Sequence, residues 1–535
     1  MHTPLVTLRA NVDAHKKNIE FSSLPKTIKD AITVCTWLGV TYVWIDALCI
    51  VQDSGQDKIL EIANMGNIYA GAYLTIAASV ADGASRGFLQ PKTCPFFSAP
   101  MILPDGNIFE AKWCAYGRGL IGSTKQVVPA SGDDRRPRAV SEFEPLHQRG
   151  WTFQESMLSR RILLFSSFQP YWVCRKASHS GGEPSPEEFL TALDLGNIIS
   201  PPTSKPTDEN TKPWRFGGVG DPVLQTPSSF GYYWPWVAEN YSVRILSMLE
   251  DKLLAIHAVK DQYQDNNTTY LCGIWLESVH IDLLWSTVRQ HPRPAADLQR
   301  FGSGWNHSRI THLPSWSWLS FDGSVRNEIV WSAFYAGKAR HRDEVSSHIS
   351  VIGVPETDGF GRLVGAPLCI RGRLKRILAV PVTGAGWEGR YQERQCYDIS
   401  VWDEKERKYV ADMADRSSLE NRIGIVVFDD FIPQFVKGEA ARSFAAGDLF
   451  DMREDFETEP QFVDCLLVAT VGKRDGNGNG DRGVEGHGDE TAYGLVLGGV
   501  KGGEKDRRCR VGMFRGDEGV ARYFDDAEEM EFDFV

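Results

Sequence analysis

Two acidic side chains carry the strongest chemical signal in this chain. Asp46 ends the aromatic and β-branched run Tyr42-Val43-Trp44-Ile45, where an unpaired charge is costly to bury. It must reach solvent, pair with a cation, cap the following turn, or belong to a site. Glu155 closes the run Arg149-Gly150-Trp151-Thr152-Phe153-Gln154-Glu155. Arg149 and Glu155 read either as a paired anchor holding a helix to a sheet, or with Glu155 as a free carboxylate beside an aromatic wall. In the second case its pKa rises, which suits acid–base or electrostatic work. Cys49 lies three residues beyond Asp46 and reads as a structural thiol, or as a nucleophile only if a base stands beside it. His147 and His179 flank the second cluster and read as surface or hydrogen-bonded residues.

Other motifs are weaker. Gly384-Ala-Gly386-Trp-Glu-Gly389 matches GxGxxG, but the residues after it read as strand, so a hairpin turn is expected rather than a dinucleotide cradle. No phosphate loop of the GxxxxGK[ST] type, HExxH, GxSxG or zinc-spaced Cys/His set is present, so no metal is expected.

The elements that must position the two carboxylates alternate. Residues 25–38 predict a helix, with Pro25 in its first turn, Gly39 at its stop, and Ile28, Ala31, Ile32, Cys35 and Leu38 on one face. Residues 42–46 predict a buried strand. Residues 56–70 predict a second helix with Ile59, Ile62, Ala63 and Tyr69 on one side, and 73–78 a second strand. Such alternation predicts a parallel sheet with covering helices, in which ligand-binding groups gather beyond the carboxyl ends of strands. Asp46, Cys49, Gln52 and Asp53 follow one strand; Ser79, Asp82, Ser85 and Arg86 follow the next. Around Glu155 a helix is predicted near 151–158, with strands at 161–165 and 169–174.

Beyond this block, 115–145 reads as a loop or insertion and 196–231 as a linker or long surface loop. Residues 236–290 are helical in character, with Val243, Leu246, Leu249, Leu253, Leu254 and Ile256 on the apolar side. From 313 onward, short β-type runs including SWSWLSF and CIRGRLKRILAV predict an antiparallel β-rich region. Within it, 474–491 is a Gly/Asp-rich loop, and Met530, Phe532 and Phe534 alternate as in a final edge strand. The expected organisation is 1–195, 196–231 as linker, 232–312 as a helical accessory region, and 313–535.

At 535 residues the chain is long enough for two to four domains of about 150 residues. With 42% hydrophobic and 24% charged residues it is not a disordered chain. A net charge of −12 argues against general binding to nucleic acid or anionic membranes. No apolar run reaches the roughly 18 residues of a membrane span, no signal-peptide core opens the chain, and ten scattered cysteines form no framework. A cytoplasmic location is expected.

Taken together and in order, LPKTIKDAI (24–32), YVWIDALCIVQD (42–53), MGNIYAGAYLTIAAS (65–79), GFL (87–89), RGWTFQESMLSRRILLF (149–165) and YWVCR (171–175) resemble fungal heterokaryon incompatibility (HET) domain proteins. DKLLAIHAV (251–259), YLCGIWLESVHIDLLW (270–285) and LPSWSWLSFDG (313–323) resemble the region that commonly follows such a domain. The resemblance implies a role in non-self recognition and regulated cell death after incompatible cells fuse, through interaction or assembly with a protein partner or a second copy. It also implies a likeness to the Toll/interleukin-receptor (TIR) fold, a flavodoxin-like parallel sheet, some of whose members cleave NAD with one glutamate. By that alternative no cofactor is required and NAD is a substrate. Glu155 would stabilise the ribosyl cation, Asp46 would orient a ribose hydroxyl, Arg149 would bind phosphate and Trp151 would stack on a ring. Gln52 and Asp53 would complete the binding set. HET domains usually begin with a strand like Leu-Ser-Tyr-x-Trp-Gly, which this chain does not show. The expectation is a domain incomplete at its N-terminus, with residues 4–9 as a partial substitute.

Overall fold

The computed structural model describes residues 5–90, 96–102, 108–116, 119–122, 144–166, 170–174, 177–180, 230–264, 268–287, 312–327, 329, 345–381, 396–400, 402–403, 408–409, 424–428, 461–471, 491–500, 506–516 and 520–535. The expected loops at 196–229 and 474–490, most of 123–145 and the GxGxxG stretch lie outside these residues. The chain forms two compact units, one of residues 1–222 and 244–263, the other of 223–243 and 264–535.

The first unit opens with a short helix α1 (Val12–Lys17), then α2 (Lys26–Trp37), the single turn α3 (Asp46–Cys49) and the long α4 (Gly55–Gly71). Pro25 stands just before α2, and Gly39 follows it at φ +66, the left-handed conformation that glycine takes without strain. Ser54 caps α4 by accepting from the Asp57 amide. Strand β1 (Thr75–Ala77) follows, then a three-stranded antiparallel sheet of β2 (Phe96–Ile102), β3 (Ile108–Tyr116) and β4 (Gly119–Gly122). Helix α5 (Trp151–Leu158) leads into β5 (Arg161–Phe165), β6 (Pro170–Cys174) and β7 (Ala177–Ser180). The chain passes to the second unit for α6 (Phe230–Ser242) and returns for α7 (Leu254–Tyr263).

The sheet that matters for the site runs β1-β5-β6-β7. Only β1 and β5 are parallel, with Thr75 opposite Ile162 and Ala77 opposite Leu164; the rest is antiparallel. The expected flavodoxin-like parallel sheet is therefore reduced to one parallel pair. The stretch 42–46 shows why. Ile45 has strand-like backbone angles, yet 40–45 joins no ladder and Tyr42 is 89% exposed. Aromatic and β-branched residues favour a pleated, half-buried surface, but a strand needs a neighbour to exchange hydrogen bonds with. None lies beside this one among the described residues. Residues 5–9 do not substitute for it. Thr7 instead bonds the backbone beyond Asp46, its amide donating to the Ala47 carbonyl, its hydroxyl to Leu48, and its own carbonyl accepting from Gln52. The helix faces differ from expectation too: Ile59, Leu38 and Trp37 are exposed, so part of the apolar stripe of α2 and α4 is uncovered.

One knot fixes α2 to the loop beyond β1. The buried Asp30 carboxylate accepts from the amides of Phe88 and Leu89 and pairs with Lys26. Burial alone would push this carboxyl up, but Lys26 and the two amides outweigh it and hold it below its ordinary range. Gly87 sits at φ +75, and a Cβ there would come within 2.6 Å of Asp30 Oδ2.

In the second unit a nine-stranded sheet dominates. The long strand Leu368–Pro381 pairs with both Gln461–Val471 and Cys396–Ser400, so the antiparallel path closes on itself around Ile377, Cys465, Leu467, Val496 and Phe514. Closure removes open edges, which accounts for the β-rich reading of 313–535. The C-terminal strand Glu528–Phe534 is no edge: it pairs with Leu368–Leu374 and meets Arg507–Arg508, with Phe532 and Phe534 buried. SWSWLSF is not a strand but a turn and a 3-10 segment, Trp318–Ser320, because Ser317 accepts from the Leu319 amide and bends the backbone. The apolar side expected across 243–249 is likewise broken: α6 stops at Ser242, and Val243 and Met248 are exposed.

Tryptophans fill the rest of this unit. The Gly273 carbonyl accepts the indole N–H of Trp234 at 2.6 Å and of Trp318 at 2.5 Å. Arg510, fully buried, donates to the carbonyls of Leu283 and Trp285 and lies 3.7 Å from the Trp285 ring centroid. A small cavity, with room for about one water, is lined by Trp234, Trp285, Trp318, Asp282 and Asn327.

Candidate functional site

Glu155 sits on the eight-residue helix α5, and neighbouring segments fix that helix. The N-terminus of α5 is pinned by residues 244–246. The Gly150 amide donates to the Ile245 carbonyl at 2.7 Å, and the Ile245 amide to the Gln148 carbonyl at 2.6 Å. Gly150 is required at this crossing, since a Cβ would come within 2.4 Å of Leu246. Thr152 donates to the carbonyls of Leu146 and Arg149, and Arg244 donates to Thr152 Oγ1 at 3.0 Å while lying over the Phe153 ring. At the other end, Ser159 donates to the Glu155 carbonyl and shares a 2.6 Å hydrogen bond with Thr75 of β1.

Around the half-buried Glu155 side chain stand Tyr69 of α4, Asp46 of α3, Arg149 and Arg244. Tyr69 stands on α4, which packs against α5. No ion pair joins Arg149 to Glu155 among the described residues, so the anchor reading of these two is not what holds α5; the backbone bonds above do that. Burial pushes the Glu155 carboxyl up to about 7, with Asp46 adding to the rise, while Arg149, Tyr69 and Arg244 oppose it. The Tyr69 phenol is pushed above its ordinary range by burial and by the charges of Glu155 and Asp46, so it keeps its proton. Trp44 meets the Tyr69 ring edge-on, centroids 5.8 Å apart.

The other expected residues are placed less centrally. Asp46 is exposed in the first turn of α3, where its Oδ1 accepts from the Ala47 amide at 2.7 Å, and its charge acts on Glu155. Gln52 donates to the carbonyls of Asp46 and Ile50, and Asp53 accepts from the Arg9 amide; both brace the loop. The Trp151 indole N–H is held by Asp251 at 3.3 Å, which sets the plane of its ring. His147 is pushed down to about 3 by burial and by Arg244, so it is neutral near pH 7 and adds no charge. Cys49 is exposed, with Sγ 3.5 Å from the Ile45 amide.

Sequence reasoning missed Tyr69, Trp44 and Arg244. The periodicity that puts Tyr69 on one side of its helix with Ile59, Ile62 and Ala63 is the available signal; Arg244 carries none. No group of three or more metal-ligating side chains occurs among the described residues. No helix among them is long and apolar enough to cross a membrane.

Two carboxylates, two guanidinium groups and a proton-holding phenol in one neighbourhood are suited to an anionic, hydroxyl-rich ligand and to stabilising developing positive charge. Residues 3–155 match the family model described as Heterokaryon incompatibility protein (HET). The chain thus carries a HET domain over that stretch, which ends at Glu155. Neither a curated protein nor a solved structure matches the chain.

Proposed function

We propose that the chain acts in fungal non-self recognition, signalling toward cell death after incompatible fusion, and that its first unit does so by cleaving NAD at the nicotinamide–ribose bond. The single observation that carries the chemical part is Glu155, a carboxyl pushed up by burial and faced by Asp46, Arg149, Arg244 and Tyr69. In such a cleavage the C1′–N bond breaks, and its electron pair passes to the pyridine nitrogen, which loses its positive charge. The ribosyl cation left behind needs a nearby anion, and ionised Glu155 supplies it. Water then adds at C1′, its proton passing to Glu155 and on to solvent, giving nicotinamide and ADP-ribose. Arg149 is suited to the pyrophosphate and Asp46 to a ribose hydroxyl. Purified full-length protein incubated with NAD should release nicotinamide, measured by chromatography. Absence of release, or release undiminished in Glu155→Gln, would overturn this chemistry.

A second reading, assembly through the HET domain, is favoured by the uncovered side chains Trp37, Leu38, Tyr42, Ile59, Leu60 and Tyr73, all more than 48% exposed and all between α2 and β1. Light scattering should then show a mass above one chain, reduced by Trp37→Ser with Ile59→Ser. A strictly monomeric protein at all concentrations would reject assembly.

A further inference from the structure

We infer that Arg244 is the positioning residue of Arg149, aiming its guanidinium at the pyrophosphate of a bound nucleotide, a role that rests on the reading of Arg149 given above. Arg149 is exposed, and its guanidinium makes no hydrogen bond or ion pair among the described residues. Its backbone is bound on every side. The Arg149 amide donates to the Leu146 carbonyl at 3.2 Å. Its carbonyl lies 2.8 Å from Thr152 Oγ1 and 3.3 Å from Arg244 Nη1. The Gln148 carbonyl before it accepts from the Ile245 amide, and the Gly150 amide after it donates to the Ile245 carbonyl, making an isolated parallel bridge between Arg149 and Ile245. Each peptide unit is a rigid plane, so binding both planes that flank the Arg149 Cα fixes the direction in which its side chain leaves the chain.

Arg244 is the side chain on which this hold depends. Thr152 has a single hydroxyl proton to share between the Leu146 and Arg149 carbonyls, so Arg244 is the donor that stays with Arg149 when the hydroxyl turns to Leu146. Its Nη1 also reaches Thr152 Oγ1 at 3.0 Å, and the guanidinium lies 5.1 Å from the centroid of the Phe153 ring. One planar group therefore ties residues 149, 152 and 153, the turn that leads into α5. A lysine would keep the charge without the fork or the flat face that rests on the ring. The guanidinium of Arg149 is left to the ligand. It matches a phosphate by two parallel hydrogen bonds, and a root already fixed lowers the entropy lost when it binds. Deleting Arg244 leaves the charge of Arg149 in place and frees the peptide plane that aims it.

The test is calorimetric binding of ADP-ribose, which carries the pyrophosphate and lacks nicotinamide, to full-length protein in a double-mutant cycle. Arg149→Ala and Arg244→Ala should each weaken binding about tenfold or more, the equivalent of one hydrogen bond to a charged group. The double variant should bind no more weakly than Arg149→Ala alone, because Arg244 acts through Arg149. Arg244→Lys should not restore binding, and it serves as the second variant should Arg244→Ala fail to fold. Additive losses, or rescue by lysine, overturn the positioning role, since a charge acting directly on the ligand behaves in that way. Coupled losses in a protein that releases no nicotinamide uphold Arg244 and overturn the NAD reading alone. Release of nicotinamide with additive losses upholds the NAD reading and overturns Arg244 alone. Unaltered protein that takes up no ADP-ribose overturns both.

Discussion

Gly66 of α4 and Ala258 of α7 face each other so closely that a Cβ added at Gly66 would stand 2.6 Å from the Ala258 Cβ. Neither partner has a flexible side chain that could swing away, so the helices themselves must part. Alanine favours a helix interior by about 1 kcal/mol over glycine. Overpacking a filled interface costs about 1–3 kcal/mol. Gly66→Ala should therefore be net destabilising and should lower activity as well, because Tyr69 follows one turn later. Gly71→Ala, at a position with nothing within 4 Å, is the control and should be neutral or slightly stabilising in thermal melts.

Asp30 gives the first unit an acid limit. Its folded pKa is held below the ordinary 3.8, so its contribution is complete above that value and is lost as pH falls through the depressed one. Replacing it with asparagine should cost about 1.5–3 kcal/mol, the range for a hydrogen bond to a charged group, and should remove that part of the acid sensitivity below about pH 4. Urea titrations at pH 3 and pH 7 measure both effects.

Asp282 in the second unit runs the other way. It is buried, and although its Oδ2 accepts from the Trp275 amide and Ser278, burial pushes its carboxyl up to about 8. The folded protein keeps this proton where the unfolded chain has released it. Stability therefore falls as pH rises between about 4 and about 8, by at most about 1.4 kcal/mol per pH unit. Asp282→Asn should flatten that slope in melts followed by tryptophan fluorescence. A slope unchanged in the variant would contradict the assignment.

Arg510 is bound into the tryptophan core by two carbonyls and an indole face. Arg510→Ala should destabilise the second unit by about 2–5 kcal/mol, the range for deleting a large buried side chain, with orphaned carbonyls adding to the loss. Native-state hydrogen exchange at Leu283 to Thr287 is the direct readout.

Local signals carried much of the first unit into view. The helix over 151–158 and the strand over 161–165 have the bounds that their periodicity predicts, and Pro25 and Gly39 bracket α2 as expected. The strand over 42–46 failed because composition reports fitness for a sheet, not the presence of a neighbour to bond with; Tyr42 is left 89% exposed. Asp46 and Glu155 were legible as types, each a charge in apolar surroundings. Their meeting was not, since it depends on the path of the 108 residues between them. Tyr69 was legible only as one residue of an apolar helix side, because periodicity places a ring and says nothing of what lies beside its hydroxyl. Arg244 was illegible: it comes from the eleven residues between α6 and α7 where the chain re-enters the first unit, at a point predicted as helical in character.

The pH dependence of nicotinamide release tests the central claim most directly. If the ionised form of Glu155 does the work, the rate with saturating NAD should rise as pH increases through about 7 and level off above it. Glu155→Gln should remove that rise together with the activity. A rate that is flat from pH 5.5 to 8.5, or a rise that persists in Glu155→Gln, would contradict the account.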